Sequence, residues 1–244
     1  MTTSPLRIAM WSGPRNLSTA MMRAFGSRPD TAIADEPFYA HFLKTTGVQH
    51  PGRAEVFAEL DSDWRKVAGY LTGPVPDGKA VWYQKQMTHH VVGDNDLNWI
   101  DKVVNCFLIR HPKDVILSYQ KIYPEVDINL LGCRQQATIF EHVRKITGEP
   151  PIVIEADDIA RHPEIWLTRL CERLGIPYTT KMLSWAEGPH PSDGVWGKYW
   201  YRNVMKTTGF HPFKEKEDEV EERHKPVYDE CLETFLTLRA YKIR

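Results

Sequence analysis

Short apolar runs and stretches with three-to-four spacing alternate along the chain. Leu6 to Met10 is a short apolar run with a β-branched residue, long enough for a buried strand. Trp11-Ser12-Gly13-Pro14 breaks it, and Leu17, Ala20, Met21, Ala24 and Phe25 then recur at helical spacing. After a turn signal at residues 26–30, residues 31–34 read as a second strand. Val56, Phe57, Leu60, Trp64, Val67 and Leu71 keep helical spacing and predict a helical insertion within residues 40–78. Residues 79–84 read as a strand, and residues 91–100 as a loop with a helix turn. Residues 103–109, nearly all apolar and bounded by charge, are the clearest buried parallel strand. Pro112 can start the next helix, which carries Asp114 and Ser118. Residues 134–146 form an amphipathic pattern, and residues 150–155 read as the last central strand. Asp157-Asp158 opens a helix running through Trp166 to Leu174, stopped by Gly175-Ile176-Pro177. Residues 214–222 read as a solvated, charged helix start and residues 228–238 as an amphipathic helix.

The opening strand, the tight turn and a hydroxyl-rich helix start together have the architecture of a phosphate-binding loop. Free N–H groups at a helix N-terminus, backed by the macrodipole, make an anion site. Ser18 and Thr19 add hydroxyl donors there, and Arg15 adds a permanent charge with a planar fork of donors. A nucleoside triphosphatase would need GxxxxGK followed by Ser or Thr. Here the run is Gly13-Pro14-Arg15-Asn16-Leu17-Ser18-Thr19, with no lysine before the hydroxyl pair. An ordinary ATPase or GTPase is disfavoured.

Two stretches resemble the sulfotransferase family. Pro14, Arg15, Ser18 and Thr19 match its 5′-phosphosulfate loop, while Asn16 stands where Ser is usual and Leu17 where Gly is usual. Residues 106–119, CFLIRHPKDVILSY, match better: a strand ends in Arg110, and Ser118 follows eight residues later on a helix. The resemblance implies an α/β, three-layer P-loop-type fold, a central parallel sheet flanked by helices, over nearly the whole chain. It implies 3′-phosphoadenosine 5′-phosphosulfate (PAPS) as co-substrate, its 5′-phosphosulfate held by residues 15–19 and its 3′-phosphate by Arg110 and Ser118.

Glu36 follows the second strand, where a doubly wound sheet opens onto its ligand crevice. Some bacterial members carry a similar Glu-Pro-Phe, with that glutamate proposed as the base toward the acceptor hydroxyl. Lys85 matches the family's Lys-Thr-His lysine and would steady the leaving phosphate. Met87 stands where that motif's histidine should be, with His89 and His90 beyond it, so the base stays open among Glu36, His89 and His90. Adjacent histidines point different ways on a helix, so at most one is expected in the site. The family's late nucleotide-closing loop is loosely matched by Gly194, Gly197, Lys198 and Trp200, with Arg202 nearby. The Glu155-Ala156-Asp157-Asp158 stretch resembles a structural joint and is assigned no chemistry.

Composition narrows the picture. The 244 residues suit a single α/β domain spanning 1–244, with no internal repeat or low-complexity linker. A formal charge of −1 makes no general case for nucleic acid or an anionic membrane as partner. Four separated cysteines without a CxxC read as reduced, buried thiols. No apolar leader and no run of ~18 apolar residues is present, which predicts a soluble, cytoplasmic protein. No metal is implied. The expected reaction is sulfuryl transfer to a hydroxyl or amine of a small molecule. The rivals are a P-loop kinase and a non-catalytic nucleotide-binding protein of the same fold.

Overall fold

The computed structural model describes residues 4–244. Five strands, β1 (Leu6–Ser12), β2 (Thr31–Asp35), β3 (Val81–Met87), β4 (Val104–Ile109) and β5 (Ile152–Glu155), form one parallel sheet in the order β2-β3-β1-β4-β5. The helices are α1 (Ser18–Gly26), α2 (Tyr39–Thr46), α3 (Arg53–Glu59), α4 (Trp64–Thr72), α5 (Pro112–Tyr119), α6 (Ile128–Leu131), α7 (Cys133–Thr147), α8 (Ala156–Arg161), α9 (Pro163–Leu174), α10 (Gly197–Trp200) and α11 (Lys225–Arg239). None of the helices among the described residues is long and apolar enough to cross a membrane.

β1 is the middle strand, and its side chains show why three layers form. Ile8 and Met10 enter one core with Met21, Met22 and Phe25 of α1 and Leu167 and Leu170 of α9. Ala9 and Trp11 enter the other, with Leu71 of α4, Phe140 of α7 and Leu238 of α11. A strand buried on both faces has no solvent face to alternate with, so it reads as a continuous apolar run. The chain builds β2 and β3 on one side of β1, then crosses to β4 and β5 on the other. The carboxyl ends of β1, β3 and β4 thereby open onto one crevice, as at other topological switch points.

Several expected elements end differently. β3 runs on through Lys85 to Met87, every residue of it buried. The insertion helix is two, α3 and α4, and Asp63 caps the second by accepting from the Arg65 amide. The helix expected from Asp157 to Leu174 breaks at His162, because Pro163 disfavours helical geometry in the residue before it. β5 is an edge strand rather than a central one, and Ile243 N–H pairs with its Val153 carbonyl at 3.0 Å. Residues 214–221 are not helical. Their charges find partners on α5 instead: Lys216 Nζ donates to the Asp114 carbonyl at 2.6 Å, and Lys113 pairs with Glu219 at 2.7 Å.

Candidate active site

The turn after β1 is tight because Gly13 passes under the Leu131 carbonyl, where a Cβ would lie 2.6 Å from that oxygen. Arg15 and Leu17 then take left-handed backbone, φ 64° and 61°, which reverses the chain into α1. Leu17 sits at the N-cap and has no polar side chain to satisfy the first-turn amides. Those amides stay available to an anion. Ser18 and Thr19 line the space in front of them. The Asn16 side chain turns inward instead, donating to the Leu108 carbonyl on β4 at 3.4 Å.

β4 delivers Arg110 to the same place. Its Nη1 donates to the Arg15 carbonyl at 3.0 Å and its Nε to Asp157 at 3.0 Å. α5 folds back beside the strand end, so Ser118 accepts from Arg15 Nε at 2.8 Å. Burial, and then the charge of Arg110, pull the Arg15 guanidinium below its usual pKa. Arg110 is already paired with Asp157, whereas among the described residues Arg15 has no carboxylate partner, so its charge is left for an anion. Both line a cavity of about 200 Å³ that continues to Trp185, Trp200, Thr207 and Phe210. Trp185 meets Phe210 edge-on at 5.2 Å, and its indole N–H donates to Thr207 Oγ1 at 3.1 Å.

A second cavity, about 140 Å³, opens on the other side of Arg15, Ser18 and Thr19. β2 ends in Asp35, and Glu36 follows with φ 43°. β3 sends Lys85 between them: its Nζ lies 3.0 Å from Asp35 Oδ1, 2.6 Å from Glu36 Oε1 and 2.5 Å from the Tyr201 hydroxyl. Burial drives the Glu36 pKa up; Lys85 opposes that, and neighbouring Asp35 adds to it, leaving a net rise. Burial pulls Lys85 down, but Asp35 and Glu36 together outweigh it, so its ammonium is held.

Both histidines enter this cavity, contrary to the expectation of one. Thr88–His90 is a single 3-10 turn packed under α2, and the two rings meet at 4.4 Å. His90 stacks on Tyr39 at 4.9 Å. Burial, reinforced by His50 and Lys85, pushes His89 down to about 3, and His90 also falls well below its usual value. Both rings are neutral at physiological pH, and their Nδ1 atoms have no protein partner.

Trp200 lines both cavities. Gly197 and Lys198 line neither: Gly197 packs on Asp193 and Tyr201, and Lys198 Nζ pairs with Glu55 at 2.5 Å. Arg202 is exposed and lines neither cavity. Asp35, Asp157, Trp185, Tyr201 and Phe210 were not anticipated as site residues. Asp35 adjoins Glu36, which is a usable signal; Asp157, in the first turn of α8, meets Arg110 only because β5 pairs with β4, and nothing local distinguishes Tyr201 from the aromatics around it. No group of three or more His, Cys, Asp or Glu able to hold a metal occurs among the described residues.

The sequence pattern that defines the sulfotransferase domain matches residues 6–227. The chain belongs to the sulfotransferase family. Its sheet and helices also match solved sulfotransferases, at identities that speak to the fold alone. The sulfotransferase domain of the Synechococcus PCC 7002 olefin synthase aligns over 100% of this chain and 98% of that one, with TM-score 0.58 and 15% identity. The sulfotransferase domain from the curacin biosynthetic pathway gives TM-score 0.53 over 100% of both chains at 15% identity. A sulfotransferase from Alicyclobacillus acidocaldarius gives 0.53 at 12% identity, over 99% of this chain and 98% of that one. Two curated Arabidopsis thaliana relatives are named branched-chain-amino-acid aminotransferase-like proteins 2 and 1. They are 34% and 37% identical over 236 and 209 residues, covering 96% and 84% of this chain. The chain spans 41% and 37% of those relatives' own lengths.

Proposed function

We propose that this sulfotransferase moves a sulfuryl group from PAPS to the hydroxyl of a small, uncharged acceptor. The observation that carries the donor assignment is the Arg15–Arg110 pair beside an uncapped helix start. Residues 15–19 would hold the 5′-phosphosulfate, and Arg110 with Ser118 the 3′-phosphate. The aromatic far end of the larger cavity, Trp185 and Phe210, suits the adenine. ATP has no 3′-phosphate to answer Arg110.

The smaller cavity suits the acceptor. Its walls include Tyr39, Tyr119, Tyr123, Trp200 and Met87, its histidines are neutral, and Lys85 is already matched by two carboxylates. About 140 Å³ is close to the roughly 150 Å³ that accommodates a benzene ring. Glu36 is the base: a carboxylate with a raised pKa accepts a proton more readily than a histidine pushed down to about 3. The acceptor oxygen bonds to sulfur, Glu36 takes its proton, and the sulfur–oxygen bond to the phosphate breaks. Positioning and fixed charge supply the catalysis, as in phosphoryl transfer. Lys85 has three N–H donors and protein partners for all three. It reaches the departing oxygen by exchanging one of them.

Calorimetric titration with 3′,5′-adenosine bisphosphate, beside ATP with magnesium, tests the donor site. Tight binding of the bisphosphate and none of ATP is expected. Binding of ATP alone would make the protein a kinase, and binding of neither would leave a fold without its donor.

A further inference from the structure

Two adjacent carboxylates, Asp35 and Glu36, share one lysine, and something must decide which of them takes the acceptor's proton. Three donors converge on Asp35: Lys85 Nζ at 3.0 Å, the Tyr201 hydroxyl at 2.8 Å and the Gly194 amide at 3.1 Å. Glu36 Oε1 receives Lys85 at 2.6 Å and has Tyr201 farther off, at 3.2 Å. Tyr201 is 5% exposed and its bonding capacity is full. A phenol has one proton to give and two lone pairs. The lone pairs accept from Lys85 at 2.5 Å and from Trp196 Nε1 at 3.1 Å, so the proton goes to the nearer carboxylate, Asp35.

We propose that Tyr201, acting through Asp35, is a positioning residue that selects Glu36 as the proton acceptor and joins it to the segment walling both cavities. The proposal rests on Glu36 being the base. With Asp35 saturated by donors, the proton goes to the carboxylate that has fewer. The segment carrying Tyr201 is itself anchored beside Asp35: Gly194 N–H bonds Asp35 Oδ2, and Asp193 forms a buried ion pair with Arg23 at 2.6 Å. Tyr201 and Trp200 of this segment line the larger cavity as well as the smaller. Placing the base and walling the nucleotide are thus done by one stretch of chain.

Two substitutions act on Glu36 in opposite senses. Tyr201→Phe strips Asp35 of the proton that Tyr201 gives it, so the less compensated Asp35 charge repels a Glu36 carboxylate more strongly and the Glu36 midpoint moves up; Asp35→Asn removes that like charge, so it moves down. The other ionisable groups lining the cavity with Glu36 are the same in both variants: Arg15 from the loop after β1, Tyr39 from α2, His50, Lys85, His89, His90 (its Nε2 4.0 Å from Glu36 Oε2), Tyr119 and Tyr123. The midpoints are read by carboxyl ¹³C titration of Glu-labelled protein, which needs no acceptor and no turnover. The acid limb of kcat is expected to follow them, with kcat falling about ten- to a hundredfold in Tyr201→Phe and bisphosphate affinity within about threefold of wild type. Midpoints that stay put, or move the same way in both variants, overturn the proposal; so do shifted midpoints with kcat unchanged. Either variant decides alone if the other does not fold. Absence of sulfuryl transfer by the wild type would refute the functional reading, while the carboxyl titration still judges the network.

Discussion

Arg110, at the end of β4, donates to the backbone carbonyl of Arg15 at 3.0 Å, so the strand-end arginine also braces the phosphate loop. On the proposed donor assignment one side chain then has two tasks, gripping the 3′-phosphate and holding the loop that would grip the 5′-phosphosulfate.

Arg110→Ala should weaken 3′,5′-adenosine bisphosphate binding by about ten- to a hundredfold, the size of one or two lost charge-assisted hydrogen bonds. Lys198→Ala should leave affinity unchanged, because that lysine is paired with Glu55 outside both cavities. Calorimetry on the two variants checks both expectations, and equal losses would show that nucleotide contact extends to α10.

Glu36→Gln should lower kcat by about a hundredfold or more while bisphosphate still binds. His89→Asn should keep most of the activity. Because burial raises the Glu36 pKa, the acid limb of kcat should lie above that of an exposed glutamate, with activity gained as pH rises through it. The pH profile of His89→Asn should keep that limb in place; a displaced limb would transfer the base to the histidine.

Leu17 holds φ 61° where an L side chain is strained by roughly 1–2 kcal/mol. Leu17→Gly should relieve that strain, lose part of the packing against the first core, and leave stability and bisphosphate affinity nearly unchanged. Leu17→Val should do worse on both, because a β-branched residue resists positive φ. Denaturant midpoints and calorimetry on the pair separate the effect of backbone shape from that of side-chain bulk.

Arg23 is 1% exposed and pairs with Asp193, whose side chain is 6% exposed. Asp193→Ala should destabilise the fold by about 3–5 kcal/mol, since it leaves a buried guanidinium unpaired. Urea unfolding measures this directly. A loss below about 1 kcal/mol would mean that water reaches Arg23.

β1, the phosphate loop and the strand ending in Arg110 were legible because each is a local event. A doubly buried strand is apolar throughout, a helix start needs its hydroxyls in order, and Arg110 ends an apolar run. The expectation for residues 214–222 failed because charges at helical spacing say nothing of partners on α5, about a hundred residues earlier. The adjacent histidines were expected to diverge, and the 3-10 turn under α2 aims both into one cavity.

By itself, the sequence determined the family, the alternation of strand and helix, and Arg15, Glu36, Lys85 and Arg110 as the residues to examine. Tertiary structure alone decided that Lys85 stands between two carboxylates, that Tyr201 caps them from 166 and 165 residues away, and that Lys198 lies outside both cavities. Hydrophobic periodicity and turn chemistry are written in neighbouring residues. Hydrogen bonds between distant segments depend on how the layers stack, and no local pattern records that.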